Sequence, residues 1–247
     1  MLKKYKADLH IHTCLSPCAE LEMTPSRIVK NASEKGIDII AVTDHNSAEN
    51  VIAAKKAAQR TELTVLAGME VTSSEEVHIV ALFDDIESVL KLQEIVYKNL
   101  QAGKNDEIRF GEQIVVNEKD EVLSFNKRLL IGATSLTAHY IVNTIHSLGG
   151  LSIASHVDRE AFGVISQLGF VPPDLNLDAL EFSPNITIEQ AKKRFTEYSH
   201  FPWVTSSDAH YLKDLGKRTT SFFLKEPSLS EITSALKNIG GRRAEWG

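Results

Sequence analysis

The sequence predicts an α/β fold whose sheet closes into a barrel. Three observations predict it. Short apolar runs alternate with amphipathic helical segments. Six or seven such strand-helix units follow one another with no low-complexity linker, which favours a closed parallel sheet over an open one. Most polar motifs fall directly after an apolar run, where a barrel gathers functional groups at its strand ends. A chain of 247 residues, 43% of them hydrophobic, can bury one large core. Residues 1–247 therefore read as a single domain carrying an insertion at about residues 104–135.

Each element has its own signal. Residues 6–11 form the first strand. A helix over residues 25–35 follows, with Thr24 placed as N-cap, Pro25 at the first helical position and Gly36 as its stop. Residues 37–43 are a buried strand, 48–59 a helix, 63–72 and 77–83 strands, and 85–102 a helix. In the insertion, residues 112–118 and 122–125 suggest a hairpin turning around residues 118–121. The rhythm resumes with a helix over 137–148 ended by Gly149 and Gly150, a strand over 151–157 and a helix over 159–168. A strand over 179–182, a helix over 188–198 and strands over 203–206 and 219–224 come next. The last helix starts at Ser228, whose spacing to Glu231 predicts a capping box.

Bulk charge narrows the function. A net charge of −6 argues against a broad basic surface and a stable nucleic-acid complex, and suits a small anionic substrate better. The cysteines, Cys14 and Cys18, give no disulfide framework. No apolar run approaches the roughly 20 residues of a membrane span. The amino-terminal lysines have no apolar stretch behind them, so no secretory signal is read and a cytoplasmic location is expected.

Four clusters of His, Asp and Glu carry the chemistry. His10 and His12 lie two apart on a strand and so share a face. Asp44 and His45 follow the apolar strand that ends at Thr43. Glu70 emerges from an apolar strand, costly to bury unless paired or bound to a cation, and His78 opens the next strand. The last cluster joins His156, Asp158 and Arg159 after one strand to Asp208 and His210 after another. Alone, each pair also fits surface histidines or strand-end ion pairs. Together they mark one edge of the sheet, which ordinary surface histidines have no reason to prefer. His139, His146 and His200 fall on helices and a connection and read as structural or surface groups.

Mixed imidazoles and carboxylates without a cysteine tetrad suit Zn²⁺, Mn²⁺ or Fe²⁺. The candidates exceed one ion's needs, so two or three divalent ions are expected, bridged by Glu70, with Asp208 as a second candidate bridge. Such a cluster polarises phosphoryl oxygens and generates a bridging hydroxide near neutral pH. Phosphoryl transfer needs charge neutralisation and positioning more than covalent catalysis. Arg159 could clamp the substrate phosphate, or pair with Asp158 or Glu160 at a helix start.

The successive motifs DLHIHT, TDH, a strand-end Glu, SHVDR and SDAH resemble those of the PHP (polymerase and histidinol phosphatase) family, from Asp8 to His210. The resemblance implies a distorted (β/α)7 barrel and a trinuclear site of Zn, Mn or Fe ions at the strand ends. By the same likeness, His10, His12, Glu70 and Asp208 hold one metal. Glu70, His78 and His156 hold the second, and His45 and His210 belong to the third. Where the family often has an Asp or His shortly after the HxH pair, this chain reads Thr-Cys-Leu-Ser-Pro-Cys-Ala-Glu, and Glu20, or else Cys18, is the candidate to complete the third site. The expected function is hydrolysis of a small phosphomonoester or nucleotide, with Asp208 and His156 as catalytic groups and Arg159 binding substrate. The alternatives are exonuclease action on single-stranded DNA or RNA, and a non-catalytic metal-binding or regulatory module.

Overall fold

The structure is a computed structural model describing residues 1–246. Among them the chain runs β1 (Lys3–Ile11), α1 (Pro25–Glu34), β2 (Ile39–Val42), α2 (Val51–Ala58), β3 (Thr64–Thr72), β4 (His78–Phe83) and α3 (Ile86–Asn99). The insertion contributes α4 (Glu107–Phe110), β5 (Ile114–Val116) and β6 (Val122–Phe125). Then come α5 (Ala138–Ser147), β7 (Leu151–Ala154), α6 (Val164–Leu168), β8 (Ala179–Phe182), α7 (Ile188–Arg194), β9 (Trp203–Thr205), β10 (Thr220–Leu224), α8 (Leu229–Leu236) and β11 (Arg243–Trp246).

The main sheet runs β11-β10-β1-β2-β3-β4-β7-β8-β9 and curls into a nearly closed barrel. The end strand β9 approaches β10 through paired threonines: Thr205 N–H donates to Thr220 Oγ1 at 2.8 Å, and that hydroxyl donates to the Thr205 carbonyl at 2.9 Å. The barrel is as expected, but its sheet is mixed. β4 is antiparallel to β3 and β7, and β10 is antiparallel to β1 and β11. The first reversal has a direct cause. Residues 73–77 between β3 and β4 cannot hold a crossover helix, so the chain must turn back as a hairpin.

Strand alternation separates two cores. Ala7, Leu9, Ile39, Ala41, Leu66, Val80, Leu82, Leu151, Ile153, Ala179 and Val204 pack together inside the barrel, and α8 stoppers this core with Leu229, Ile232, Ala235 and Leu236. Each leucine buried there contributes about 1.5–3 kcal/mol by leaving water. The opposite faces, such as Ile40, Val42, Val65, Ala67 and Met69, pack against the outer helices. In β1 the alternation breaks: the register to β2 shifts between Asp8 and Ile11, and Ile11 joins the outer core. That bulge turns His10 and His12 inward, onto the face already occupied by Ala7 and Leu9.

Several local expectations are corrected. The helix expected over 159–168 forms only from Val164, because residues 156–163 fold into tight turns with His156 and Phe162 at positive φ. Thr24 flanks α1 but makes no side-chain cap; its hydroxyl donates to Asp120 Oδ2 at 2.8 Å, and Ser26 N–H donates to Asp120 Oδ1 at 3.2 Å. Ser228 does cap α8, but the reciprocal half of the box is absent. Glu231 instead accepts from Lys225 N–H at 2.7 Å and pairs with Arg242 at 2.6 Å. The hairpin forms as expected, and the insertion adds the short helix α4. Among the described residues no helix is long and apolar enough to cross a membrane.

The insertion braces the loop after β1. Ile114 N–H donates to the Cys14 carbonyl at 2.9 Å, and Val115 packs with Leu15 and Leu130. Asn46 Nδ2 ties the insertion's far end by donating to the carbonyls of Leu130 and Gly132, both at 2.9 Å.

Candidate metal centre

The residues gather at one barrel edge for reasons visible in the strands. His45, His156 and Asp208 follow β2, β7 and β9, while Glu70 lies near the end of β3. His78 opens β4, which reaches the same edge because it runs antiparallel to its neighbours. Gly68 allows the close approach beneath: a Cβ there would stand 2.7 Å from Thr43 Cγ2 and 2.9 Å from the Val42 carbonyl. His156 (φ 30°) and Asp208 (φ 48°) occupy strained left-handed backbone, at a cost of order 1 kcal/mol each that the surrounding fold must sustain.

The structure brings eight of the predicted residues into one buried cluster. His10 Nε2 lies 3.1 Å from His12 Nε2, 3.3 Å from Glu70 Oε1 and 3.4 Å from Asp208 Oδ1. His12 Nε2 is 3.1 Å from Asp208 Oδ1 and 3.5 Å from Glu70 Oε2. Glu70 also faces His45 and His78, each at 3.0 Å, and His156 at 3.4 Å. The His12 and His210 rings stack with centroids 4.1 Å apart. Ligand atoms converge within 4.8 Å in three groups: His10, His12 and Asp208; His45, Glu70 and His78; His12, His45 and His210.

These residues suit divalent cations. His45 Nδ1, His78 Nδ1, His156 Nδ1 and Glu70 Oε1 are buried without a hydrogen-bond partner, a costly state for polar atoms unless a cation satisfies them. Charge balance agrees. Burial pushes the Glu70 carboxyl up, but His78, His10 and His45 hold it well below its usual range, and Asp208 is held down likewise by His10 and His12. Burial pushes His10 down, but Glu181, Glu70 and Asp208 hold it well above the ordinary imidazole value. His12 is pushed well below by burial and by His210 and His45, and burial takes His78 to about 4. Ionised carboxylates thus face imidazoles of both kinds, and a metal ion would take the place of protons.

The remaining predicted residues are placed less uniformly. Arg159 lies at the edge of the cluster, its Nη1 donating to Asp208 Oδ2 at 2.6 Å, so its partner is neither Asp158 nor Glu160. The Glu20 side chain is exposed and, like Cys18, stands outside all three groups, while Glu20 N–H donates to the His210 carbonyl at 3.0 Å. Cys18 is exposed as a residue and borders the same cavity as His45 and His210. Burial pushes that thiol up, and the two histidines outweigh it and hold it at about 6. His139, His146 and His200 lie away from the cluster, partnered by Asp174, Asp178 and the Glu197 carbonyl. A cavity of about 320 Å³ opens over the cluster, bordered by Cys18, His45, Glu70, His78, Ile131, His156, Arg159, Ala161, Phe162, Asp208 and His210.

Sequence reasoning missed the supporting residues. Glu181, buried on β8, accepts from His10 Nδ1 at 2.9 Å and from His156 N–H at 3.3 Å. Its signal was present: it shares the inward face of β8 with Ala179, where a carboxylate needs a partner. Asp8 accepts from the N–H groups of Ser207 and Gly216, at 2.9 and 2.8 Å. Asp44, grouped with His45 in the sequence, accepts instead from Thr13 N–H, Thr13 Oγ1 and Ser16 Oγ, each at 2.7 Å. Asp158 accepts from Ser183 N–H at 2.7 Å.

Known proteins resemble this chain in sequence or in fold. The PHP domain profile matches residues 8–163, and a PHP-associated profile matches residues 189–238. The uncharacterized protein MJ1587 of Methanocaldococcus jannaschii is 33% identical over 108 residues, covering 40% of this chain and 63% of that protein. The uncharacterized protein YqxK of Bacillus subtilis is 24% identical over 273 residues, covering 98% of this chain and 64% of that protein. The lesion-specific Endonuclease Q of Pyrococcus furiosus superposes with a TM-score of 0.74 at 20% identity, over 98% of this chain and 58% of that one. The matches thus span less than two thirds of each of these proteins. With its ordered motifs gathered at one edge of such a barrel, this chain belongs to the PHP domain family.

Proposed function

We propose that this chain is a metal-dependent hydrolase of phosphate esters, acting on a small phosphomonoester or a nucleotide. One observation carries this reading: six imidazoles meet Glu70 and Asp208 in a buried cluster where His45 Nδ1, His78 Nδ1, His156 Nδ1 and Glu70 Oε1 have no hydrogen-bond partner. Divalent cations bound there would supply charge neutralisation for a phosphoryl group and an acidified water. His10, His12 and Asp208 are assigned to one position and His78 and His156 to a second. Glu70 is assigned to both, because its Oε1 faces His10 of the first position as well as His78 and His156 of the second. His45, His210 and Cys18 are assigned to the third, with Cys18 in the role the sequence offered first to Glu20. Asp208 links this floor to the substrate by holding Arg159, whose remaining N–H groups are free to bind phosphate oxygens at the cavity mouth. His156 and Asp208 are the catalytic groups in this reading, since both border the cavity.

A second reading, cleavage of phosphodiesters in nucleic acid, is favoured by the fold shared with Endonuclease Q, solved in complex with a 27-mer duplex bearing an abasic lesion. The acidic balance of the chain weighs against it. Metal analysis followed by a panel of phosphomonoesters, nucleotides, single strands and an abasic duplex separates the readings. Release of phosphate from small esters is expected. Products from oligonucleotides alone would transfer the assignment to the nuclease reading, and no product at full metal occupancy would overturn both. Asp208→Asn and His156→Ala should abolish turnover in a folded protein; variants that only lose thermal stability would indicate a non-catalytic metal module.

A further inference from the structure

The apolar side of the cavity is unexplained by metal chemistry. Phe162 stacks on the His78 imidazole with ring centroids 4.3 Å apart and planes 14° from parallel. His78 N–H donates to the Phe162 carbonyl at 3.0 Å, so backbone and ring are both fixed to β4. Phe162 adopts φ 61°, a conformation that bulky side chains rarely take. It nevertheless remains 37% exposed. One face of the ring is covered by the imidazole, and Phe162 borders the cavity beside Ala161 and Ile131. An aromatic ring held in a strained backbone and left half in water contributes little to the core; its placement makes sense as a contact surface. Ile131 reaches the same cavity from the insertion, held there by the Asn46 hydrogen bonds to Leu130 and Gly132.

We infer that Phe162, with Ile131 beside it, is a specificity wall that stacks a flat aromatic ring on the substrate's alcohol portion while the phosphate lies toward Arg159. The substrate class is then an aromatic phosphoester, a nucleotide or an aryl ester, in preference to a sugar or polyol phosphate. This rests on the phosphoesterase reading for its phosphate end only. The stacking surface is independent of which groups perform the hydrolysis. An aromatic side chain stacked on a base is worth about 1–3 kcal/mol, about 5- to 150-fold in affinity. Because the same contact exists before and during reaction, its loss falls on KM rather than kcat.

The test uses metal-loaded protein with adenosine monophosphate, phenyl phosphate and glycerol phosphate, measuring binding by calorimetry and turnover in parallel. Phe162→Ala and Phe162→Leu are expected to weaken binding of the two aromatic esters by about 5- to 150-fold, and glycerol phosphate by less than about twofold, with Phe162→Trp restoring the aromatic preference. Loss for phenyl phosphate and adenosine monophosphate alike marks a general aryl wall; loss for the nucleotide alone marks a nucleobase site, and either supports the inference. Equal losses for all three esters, or none, would overturn it and leave Phe162 as a brace for His78. Wild-type protein that stacks aromatic esters without hydrolysing any would instead retain the wall and remove the hydrolase assignment. Wild-type turnover without aromatic preference would do the reverse.

Discussion

The floor and the mouth of the candidate metal centre are built differently. At the floor, His10, His12 and Glu70 are almost fully buried, and Glu181 holds His10 from behind. At the mouth, Cys18 is exposed, and the side chains of His210 and Arg159 are 20% and 34% exposed. Each floor group has several charged neighbours and no water to relax into, so removing one strands the rest. The mouth is open to solvent, where a lost partner is replaced cheaply. This barrel edge therefore combines a rigid part that must be satisfied with a permissive part that can adapt to substrate.

The largest effect should follow from Glu70→Gln, which removes the charge that faces five imidazoles. Metal content is expected to fall and turnover by more than about 100-fold, checked by metal analysis and single-turnover assay. Retention of full metal and activity would break the floor's proposed role. Next is Glu181→Ala, which leaves every assigned ligand in place but frees the His10 ring. Metal affinity is expected to drop by about 10- to 100-fold, measured by competition with a chromophoric chelator. A loss of thermal stability with unchanged affinity would make Glu181 a purely structural group.

At the mouth, Arg159→Ala should leave metal content intact and lower kcat/KM by about tenfold, the scale of one charge-assisted hydrogen bond. If metal is lost as well, the separation between floor and mouth is wrong. The smallest effect concerns the two cysteines in metal-free protein. The Cys18 thiol, ordinarily near 9, is held at about 6, whereas burial pushes Cys14 up to about 12. Since a depressed pKa leaves thiolate above it, alkylation of Cys18 should rise with a midpoint at about 6 as pH increases, while Cys14 stays inert up to neutral pH. Zn²⁺ should protect Cys18. Mass spectrometry of the alkylated peptides reads both rates, and protection without any pH midpoint would mean that the rings do not tune the thiol.

Much of the fold and of the site was legible in the order of residues. The strands, the helices and the hairpin stand close to their expected places because hydrophobic periodicity and helix stop signals are local. The metal candidates were legible because carboxylates and imidazoles crowded just beyond apolar strands are costly there unless they bind something. What was not legible lies at larger separation. The cap on α1 comes from Asp120, in the turn of the distant hairpin, so Thr24 could not reveal it. The chain end at β11 carries no strong period, and its pairing to β10 shows only in three dimensions. Glu181 carried a signal as a carboxylate within an apolar strand, but its partners His10 and His156 lie far away in the chain.

Residue type and local spacing are enough to place these groups at strand ends. How they meet depends on the packed fold. A bulge in β1 turns two histidines inward, and an antiparallel β4 brings His78 to the same edge. A loop folded back between β1 and α1 brings Cys18 to the cavity beside His45 and His210 and leaves the Glu20 side chain exposed. Those outcomes depend on register, strand direction and loop closure, which are set by contacts between segments far apart in the chain.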